Sequence, residues 1–159
     1  MSYQIAQINI ARMAAPLDSP VMTDFVGNLD RINALAEGSA GFVWRLKGDG
    51  NDATSLRPYE DERIIVNMSV WESINALFQY AYYSSHVEFF RRRKEWFEKM
   101  TSPALALWWI PAGHIPTVEE AKQKLDLLER DGATPLAFTF KCQFTVEEMT
   151  TFINSDNPA

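Results

Sequence analysis

The stretch RIIVNMSVW, residues 63–71, constrains this chain more than any other. Side chains alternate across a strand, so Ile64, Val66, Met68 and Val70 share one face, and Ile65, Asn67, Ser69 and Trp71 share the other. The first face is wholly apolar and has to be buried. The second mixes an amide and a hydroxyl with two large apolar groups. A strand of this kind suits an antiparallel sheet with one fully packed face. The segment Tyr3 to Arg12 repeats the pattern, with Ala6, Ile8 and Ile10 opposite Gln7 and Asn9.

The rest of the chain supplies partners for these strands. Ser19-Pro20 reads as a helix start, Phe25, Leu29, Ile32 and Ala36 recur at helical spacing, and Gly38 ends the run. Gly41 to Lys47 is a second strand with Phe42, Trp44 and Leu46 on one face. The polar connection over residues 48–61 suits a flexible flap over a pocket; its Asp49, Asn51 and Asp52 lack the spacing of a calcium loop. From Ser73 to Met100 the pattern is helical, bent or divided near Ser84-Ser85, with His86, Phe90, Arg93 and Phe97 on one stripe. Ala104 to Ile110 is a buried strand. Thr117 and Glu120 form a capping box for an amphipathic helix that stops at Gly132. Pro135 to Phe144 reads as a last strand, with Cys142 on its apolar face, and Thr145 and Glu148 cap a tail helix. The order is βαββαβ followed by αβ. It predicts one α+β domain over residues 1–159, a ferredoxin-like antiparallel sheet with helices on one face.

The mixed faces collect Gln7, Asn9, Arg45, Asn67, Ser69, Trp71, Thr139, Lys141 and Gln143. They either meet water or stack on a second copy in a closed dimeric barrel. Trp71 and Ile65 on that face favour the dimer.

Several function classes are disfavoured. A net charge of −6 and a pI near 4.9 disfavour nucleic acid, and Arg91-Arg92-Arg93-Lys94 points around most of a helix instead of forming a patch. A single cysteine, Cys142, excludes an intrachain disulfide and suggests no zinc cluster. No apolar run is long enough to span a bilayer, and the chain reads as soluble and cytoplasmic. No serine-hydrolase elbow, phosphate loop, dinucleotide fingerprint or HExxH motif is present.

The segments AQINIAR, DRINALAEGSAGFVWRL, IIVNMSVWESINAL, SSHVEFFRRRKEWF, LALWWIPAGHIPTVEEA and FTFK together resemble an uncharacterised bacterial group, domain-of-unknown-function family 3291. The resemblance runs from about Ile5 to Lys141. That group looks like a branch of the dimeric α/β-barrel superfamily, with its antibiotic-biosynthesis-type and haem-degrading monooxygenases. The resemblance implies the fold and a homodimer, and no reaction. Haem-degrading relatives pair an Asn on the first strand with a Trp and an axial His on the helix after the third strand. Asn9 matches the Asn; the Trp position falls near Tyr80, the His position falls near Phe90 or Arg91, and His86 lies about one turn early. Cofactor-independent relatives hold an aromatic substrate with Asn, Trp and Tyr, for which Asn67, Trp71 and Tyr82 are available.

His86 is the leading candidate for chemistry, as a base or an iron ligand, against a structural imidazole that fixes a bend. Asn67 and Asn9 would polarise an oxygen. Trp71, Tyr80, Tyr82, Phe90, Arg93, Trp109 and His114 would line a ligand site. Trp108 and Trp109 point to opposite faces, and the corner WWIPAGHIP that carries His114 is mainly structural. Three readings stay open: a homodimeric, cofactor-free, monooxygenase-like enzyme for a small apolar or aromatic molecule; a non-catalytic binding or dimerisation module; and a haem protein. No metal site and no cofactor are expected under the first two.

Overall fold

The computed structural model describes residues 2–48, 50–84 and 86–156. Asp49 and Ser85, named above, lie outside the described residues. In chain order the elements are β1 (Tyr3–Met13), a 3-10 turn (Pro20–Met22), α1 (Thr23–Glu37), β2 (Phe42–Arg45), β3 (Ile64–Trp71), α2 (Ile74–Tyr83), α3 (His86–Arg91), α4 (Arg93–Trp96), β4 (Phe97–Glu98), β5 (Leu105–Pro111), α5 (Val118–Asp131) and α6 (Val146–Asp156). The result is an α+β fold with a curled antiparallel sheet and helices. The strands run β2-β3-β1-β4, and β5 pairs with β1 as well. Both β4 and β5 therefore lie along β1, β4 at Arg12 and Met13 and β5 from Tyr3 to Asn9.

The start and stop signals behave as their chemistry requires. Ser19 accepts from Val21 N at 3.4 Å, Ser73 accepts from Ala76 N at 3.1 Å and opens α2, and Thr117 accepts from Glu120 N at 3.1 Å. Thr145 and Glu148 form a reciprocal box at the start of α6. The Glu120 carboxylate does not complete such a box. It binds the indole N–H of Trp108 at 2.9 Å and His114 Nε2 at 2.7 Å, and so ties the corner to α5. Gly113, at φ +92, makes that corner as expected.

Register decides which residues share a face. Asn9 sits opposite Asn67, Gln7 opposite Ser69, and Ile5 opposite Trp71. The expected common face of Phe42 and Trp44 is corrected. The register shifts between them, so Phe42 pairs with Trp71 while Trp44 pairs with Val70 on the other side. Gly41 enters this strand at φ +83, and a Cβ there would come within 2.5 Å of the Ala76 Cβ.

The two sheet faces are covered by different parts of the chain. Ala6, Ile8, Ile10, Val66, Met68, Val70, Ala106, Trp108 and Ile110 pack under α5 through its Ala121, Leu125 and Leu128. The 48–61 connection joins them. Ala53, Leu56 and Tyr59 pack on this cluster, and Lys122 Nζ on α5 holds the Pro58 carbonyl at 2.7 Å. Its expected role as a flap over a pocket is not what this packing gives. Asn51 accepts from Arg45 and Asp52 from Thr54, so both are used within the protein, and no group of three or more metal-ligating side chains occurs among the described residues.

The mixed face is covered at its two ends, so helices lie on both faces of the sheet. Ile5, Trp71 and Leu107 pack with Ala36 of α1, Leu77 of α2 and Phe138. Met13 packs with Met22, Phe25 and Trp96, with Ile65 and Phe89 against them. Trp71, the residue expected to seek a second copy, is fully buried within one chain. Its ring is covered by Tyr80 and Phe42 at 5.1 and 5.4 Å.

Two further expectations are corrected. Residues 135–144 do not form a strand. Phe138 bridges Leu107, and tight turns at Thr134–Ala137 and Thr139–Cys142 leave Cys142 exposed instead of in the core. The long helical region is three helices. A break at Arg92 resets the helical register, which buries Trp96 and turns Arg93 outward.

Candidate functional site

The mixed face is apolar at both ends and polar in the middle. Gln7 Nε2 donates to Asn67 Oδ1 at 2.7 Å and to Ser69 Oγ at 2.8 Å. Ser69 Oγ also accepts the Trp71 indole N–H at 2.8 Å. Gln7, Ser69 and Trp71 are buried, whereas Asn67 and its cross-strand neighbour Asn9 are exposed. Polar groups on an otherwise packed sheet face have to be satisfied. The ladder does this from Trp71 outward, and it ends at two asparagine side chains that reach solvent.

His86 lies at the other end of a series of contacts. Its ring is 4.9 Å from Tyr80, which lies 5.1 Å from Trp71, which binds Ser69. A second route runs from His86 to Phe89 at 6.4 Å and on to Phe25 at 5.6 Å, in the cluster against which Ile65 packs. Ile65 is two residues from Asn67 on the same face.

The chemistry of His86 follows from its partner. Nδ1 lies 3.0 Å from the carbonyl oxygen of Ala81. A carbonyl only accepts, so Nδ1 carries the hydrogen. Burial lowers the pKa of the imidazole below its ordinary value, against the opposing pull of that carbonyl. A neutral ring with its hydrogen on Nδ1 has a bare lone pair on Nε2. The position is set locally: Ser84, after α2, accepts from the His86 backbone N–H at 3.1 Å and starts the next helix.

The other candidates separate into layers. Tyr80 is largely buried, its hydroxyl donates to the Ile32 carbonyl at 3.3 Å, and burial holds its pKa above the ordinary value. Trp71 is a layer beneath Tyr80, with its polar atom spent on Ser69. Phe90 lies 6.4 Å from the His86 ring, and Tyr82 lies 6.1 Å from Phe90. Arg93 is corrected from an inward position: it is exposed, donates to the Phe90 carbonyl and lies 4.2 Å above the Phe90 ring. Trp109 and His114 do not join this group. Trp109 donates to the Phe144 carbonyl at 2.8 Å, and His114 is held by Glu120.

Gln7 and Ser69 are the functional candidates that sequence reasoning missed as site residues. Their signal was present: a polar residue directly beside each asparagine on an alternating strand. What it lacked was the pairing that joins residues 7 and 69 across the sheet.

The fold and site define an α+β protein with a polar ladder and a neutral imidazole on an aromatic-covered sheet face. Residues 4–154 match the family model described as a domain of unknown function, DUF3291, and the chain belongs to that family. No curated protein matches it. Solved structures similar to it include PA3566 from Pseudomonas aeruginosa, 14% identical over 69% of this chain and 94% of that one, with a TM-score of 0.46. NE2512, a protein of unknown function from Nitrosomonas europaea, is 12% identical over 72% of this chain and 96% of its own, with a TM-score of 0.46. Rv0793 from Mycobacterium tuberculosis is 16% identical over 72% and 99%, again at 0.46. No helix among the described residues is long and apolar enough to cross a membrane.

Proposed function

We propose that the middle of the mixed sheet face binds a small, flat, apolar molecule carrying a hydroxyl or carbonyl group, and that His86 takes a proton from it. The observation that carries this reading is the bare Nε2 of His86, fixed by the Ala81 carbonyl and joined through Tyr80 and Trp71 to the Gln7–Asn67–Ser69 ladder. Asn67 and Asn9 are exposed neighbours across β1 and β3 and offer amides to the ligand's oxygen. Deprotonation by a neutral imidazole suits reaction near neutral pH. It leaves an electron-rich anion, the species on which dioxygen acts in a cofactor-independent monooxygenase, and this is the enzyme class we assign.

The antiparallel order β2-β3-β1-β5 supports a ferredoxin-like reading of the fold, within the dimeric α/β-barrel superfamily. The homodimer that this superfamily implies is part of the same proposal; the face under α5 is covered within one chain, and Trp71 is buried within one chain as well. A cytoplasmic setting belongs to the same reading. Haem is the other group a bare imidazole nitrogen can serve. The residues fit it poorly, because Tyr80, Phe89 and Phe90 pack around the His86 ring at 4.9 to 6.4 Å and Arg93 faces away.

The test is a ligand-observed NMR screen of flat phenols, quinones and aromatic ketones, followed by oxygen-uptake measurement with the binders. Binding that is lost in Asn67→Ala, with turnover lost in His86→Ala, supports the reading. Binding with no turnover leaves a non-catalytic binding module. A Soret band on adding hemin that His86→Ala abolishes replaces the reading with haem.

A further inference from the structure

We infer that Arg45 supplies positive charge to the middle of the mixed face and stabilises the anion that forms when a bound ligand loses its proton. The inference rests on the binding reading above and deepens it: the ligand is a weak acid of the phenol class, held as its conjugate anion. Among the described residues the buried polar or charged side chains are Gln7, Ser69 and Arg45. Register puts all three in one row, with Gln7 opposite Ser69 on β3 and Ser69 opposite Arg45 on β2. Asn67 is two residues from Ser69 on the same face. It therefore stands diagonally across from Arg45, with side chains starting roughly 7–8 Å apart, as such neighbours do.

The ion pair of Arg45 is uneven. Its Nε and Nη2 both lie 3.1 Å from the Glu37 carboxylate at the end of α1. Nη2 also donates to Asn51 at 2.9 Å, and Asn51 in turn donates to Asp30 of α1. The Arg45 side chain is 5% exposed and that of Glu37 is 42% exposed. Water screens the carboxylate far more than the guanidinium, so the pair leaves a positive potential on the sheet side. The charge is felt among the residues that cover this face: burial raises the pKa of the Tyr80 hydroxyl, and Arg45 opposes that rise. A buried ion pair that serves stability alone is replaced by apolar side chains at little loss. When His86 Nε2 takes the hydroxyl proton of a phenol, the O–H bond breaks, an N–H bond forms and the electron pair stays on the ligand's oxygen. Arg45 favours that product.

The probe is 4-nitrophenol, whose phenol and phenolate absorb at different wavelengths. It is titrated with pH while bound to His86→Gln, in which no imidazole can take the proton, so the reading reports only the charge around the ligand. The bound phenol should ionise about one pH unit below the free one, which is about tenfold tighter binding of the phenolate. Adding Arg45→Met should abolish the shift, and Arg45→Lys should keep most of it. Adding Glu37→Gln, which removes the opposing charge, should enlarge it. A purely structural ion pair would respond alike to the loss of either half. Near-ultraviolet circular dichroism reports folding, and Glu37→Gln, at a partly exposed side chain, carries the test where Arg45→Met does not fold. A bound probe whose ionisation is unshifted, or moves the same way in Arg45→Met and Glu37→Gln, would overturn this inference and leave the binding reading standing. The absence of any saturable binding would overturn both.

Discussion

The two faces of the central sheet are built from the same strands and differ in kind. Under α5, buried apolar residues form one continuous cluster, and the buried polar side chains Gln7, Arg45 and Ser69 all belong to the opposite face. On the opposite face two smaller apolar clusters stand apart, and Gln7, Ser69 and Asn67 lie between them. A continuous apolar face is what stability alone would select. A buried amide ladder stabilises little compared with an apolar filling of the same shape, and half-broken it costs stability. The difference teaches where to look for function: the face that holds polar groups it does not need for folding.

The largest effect should come from the apolar face. Leu125→Ala removes a buried contact of α5 with the sheet and should cost about 2–5 kcal/mol in urea unfolding, without changing ligand binding on the other side. If binding there fell in step, the two faces would not be separate. The ladder comes next. Ser69→Ala leaves the Gln7 amide and the Trp71 N–H without their shared acceptor and should cost about 1–3 kcal/mol. A loss within the noise would mean that water replaces Ser69 freely and that the mixed face is less closed than its burial suggests.

Smaller effects sharpen the contrast. Asn9→Ala, at an exposed position, should change stability by no more than about 0.5 kcal/mol while weakening a ligand that uses the amide. His86 should make a distinctive contribution to the pH dependence of unfolding. Its folded pKa is lowered by burial, so the unfolded chain binds the proton more readily. Its stabilising contribution is present above the unfolded pKa, about 6.5, and is lost as pH falls from there through the folded value. Thermal unfolding midpoints between neutral and mildly acidic pH should fall less steeply in His86→Gln than in the unmodified chain.

Much of this contrast was legible in the sequence, because strand alternation is local. The faces of residues 3–12 and 63–71 follow from period two alone, and both were read correctly. What covered them was not legible. An apolar face announces that it is buried and not by what, so the clean face was given to the helices at large, whereas α5 and residues 53–59 cover it. Trp71 looked unwelcome in water because Tyr80 and Phe42 reach it only through the fold. The register shift at Phe42 and Trp44, the break at Arg92 and the turns after Pro135 each alter a periodic pattern by a residue or two. Backbone geometry imposes such changes, and residue type hardly signals them. His86 was found from its aromatic stripe, yet its usable nitrogen was identified by the carbonyl of Ala81, a contact between the end of one helix and the start of the next.

The central claim is that the mixed face holds a neutral imidazole with a bare Nε2. The chain has two histidines, so a nitrogen NMR spectrum of the side chains resolves His86 from His114 once one is substituted. At neutral pH, His86 should show the shift pattern of a ring protonated at Nδ1 alone, and Nε2 should move when a ligand from the screen is added. A ring protonated at Nε2, or one doubly protonated at neutral pH, would contradict the account and reduce His86 to a structural residue.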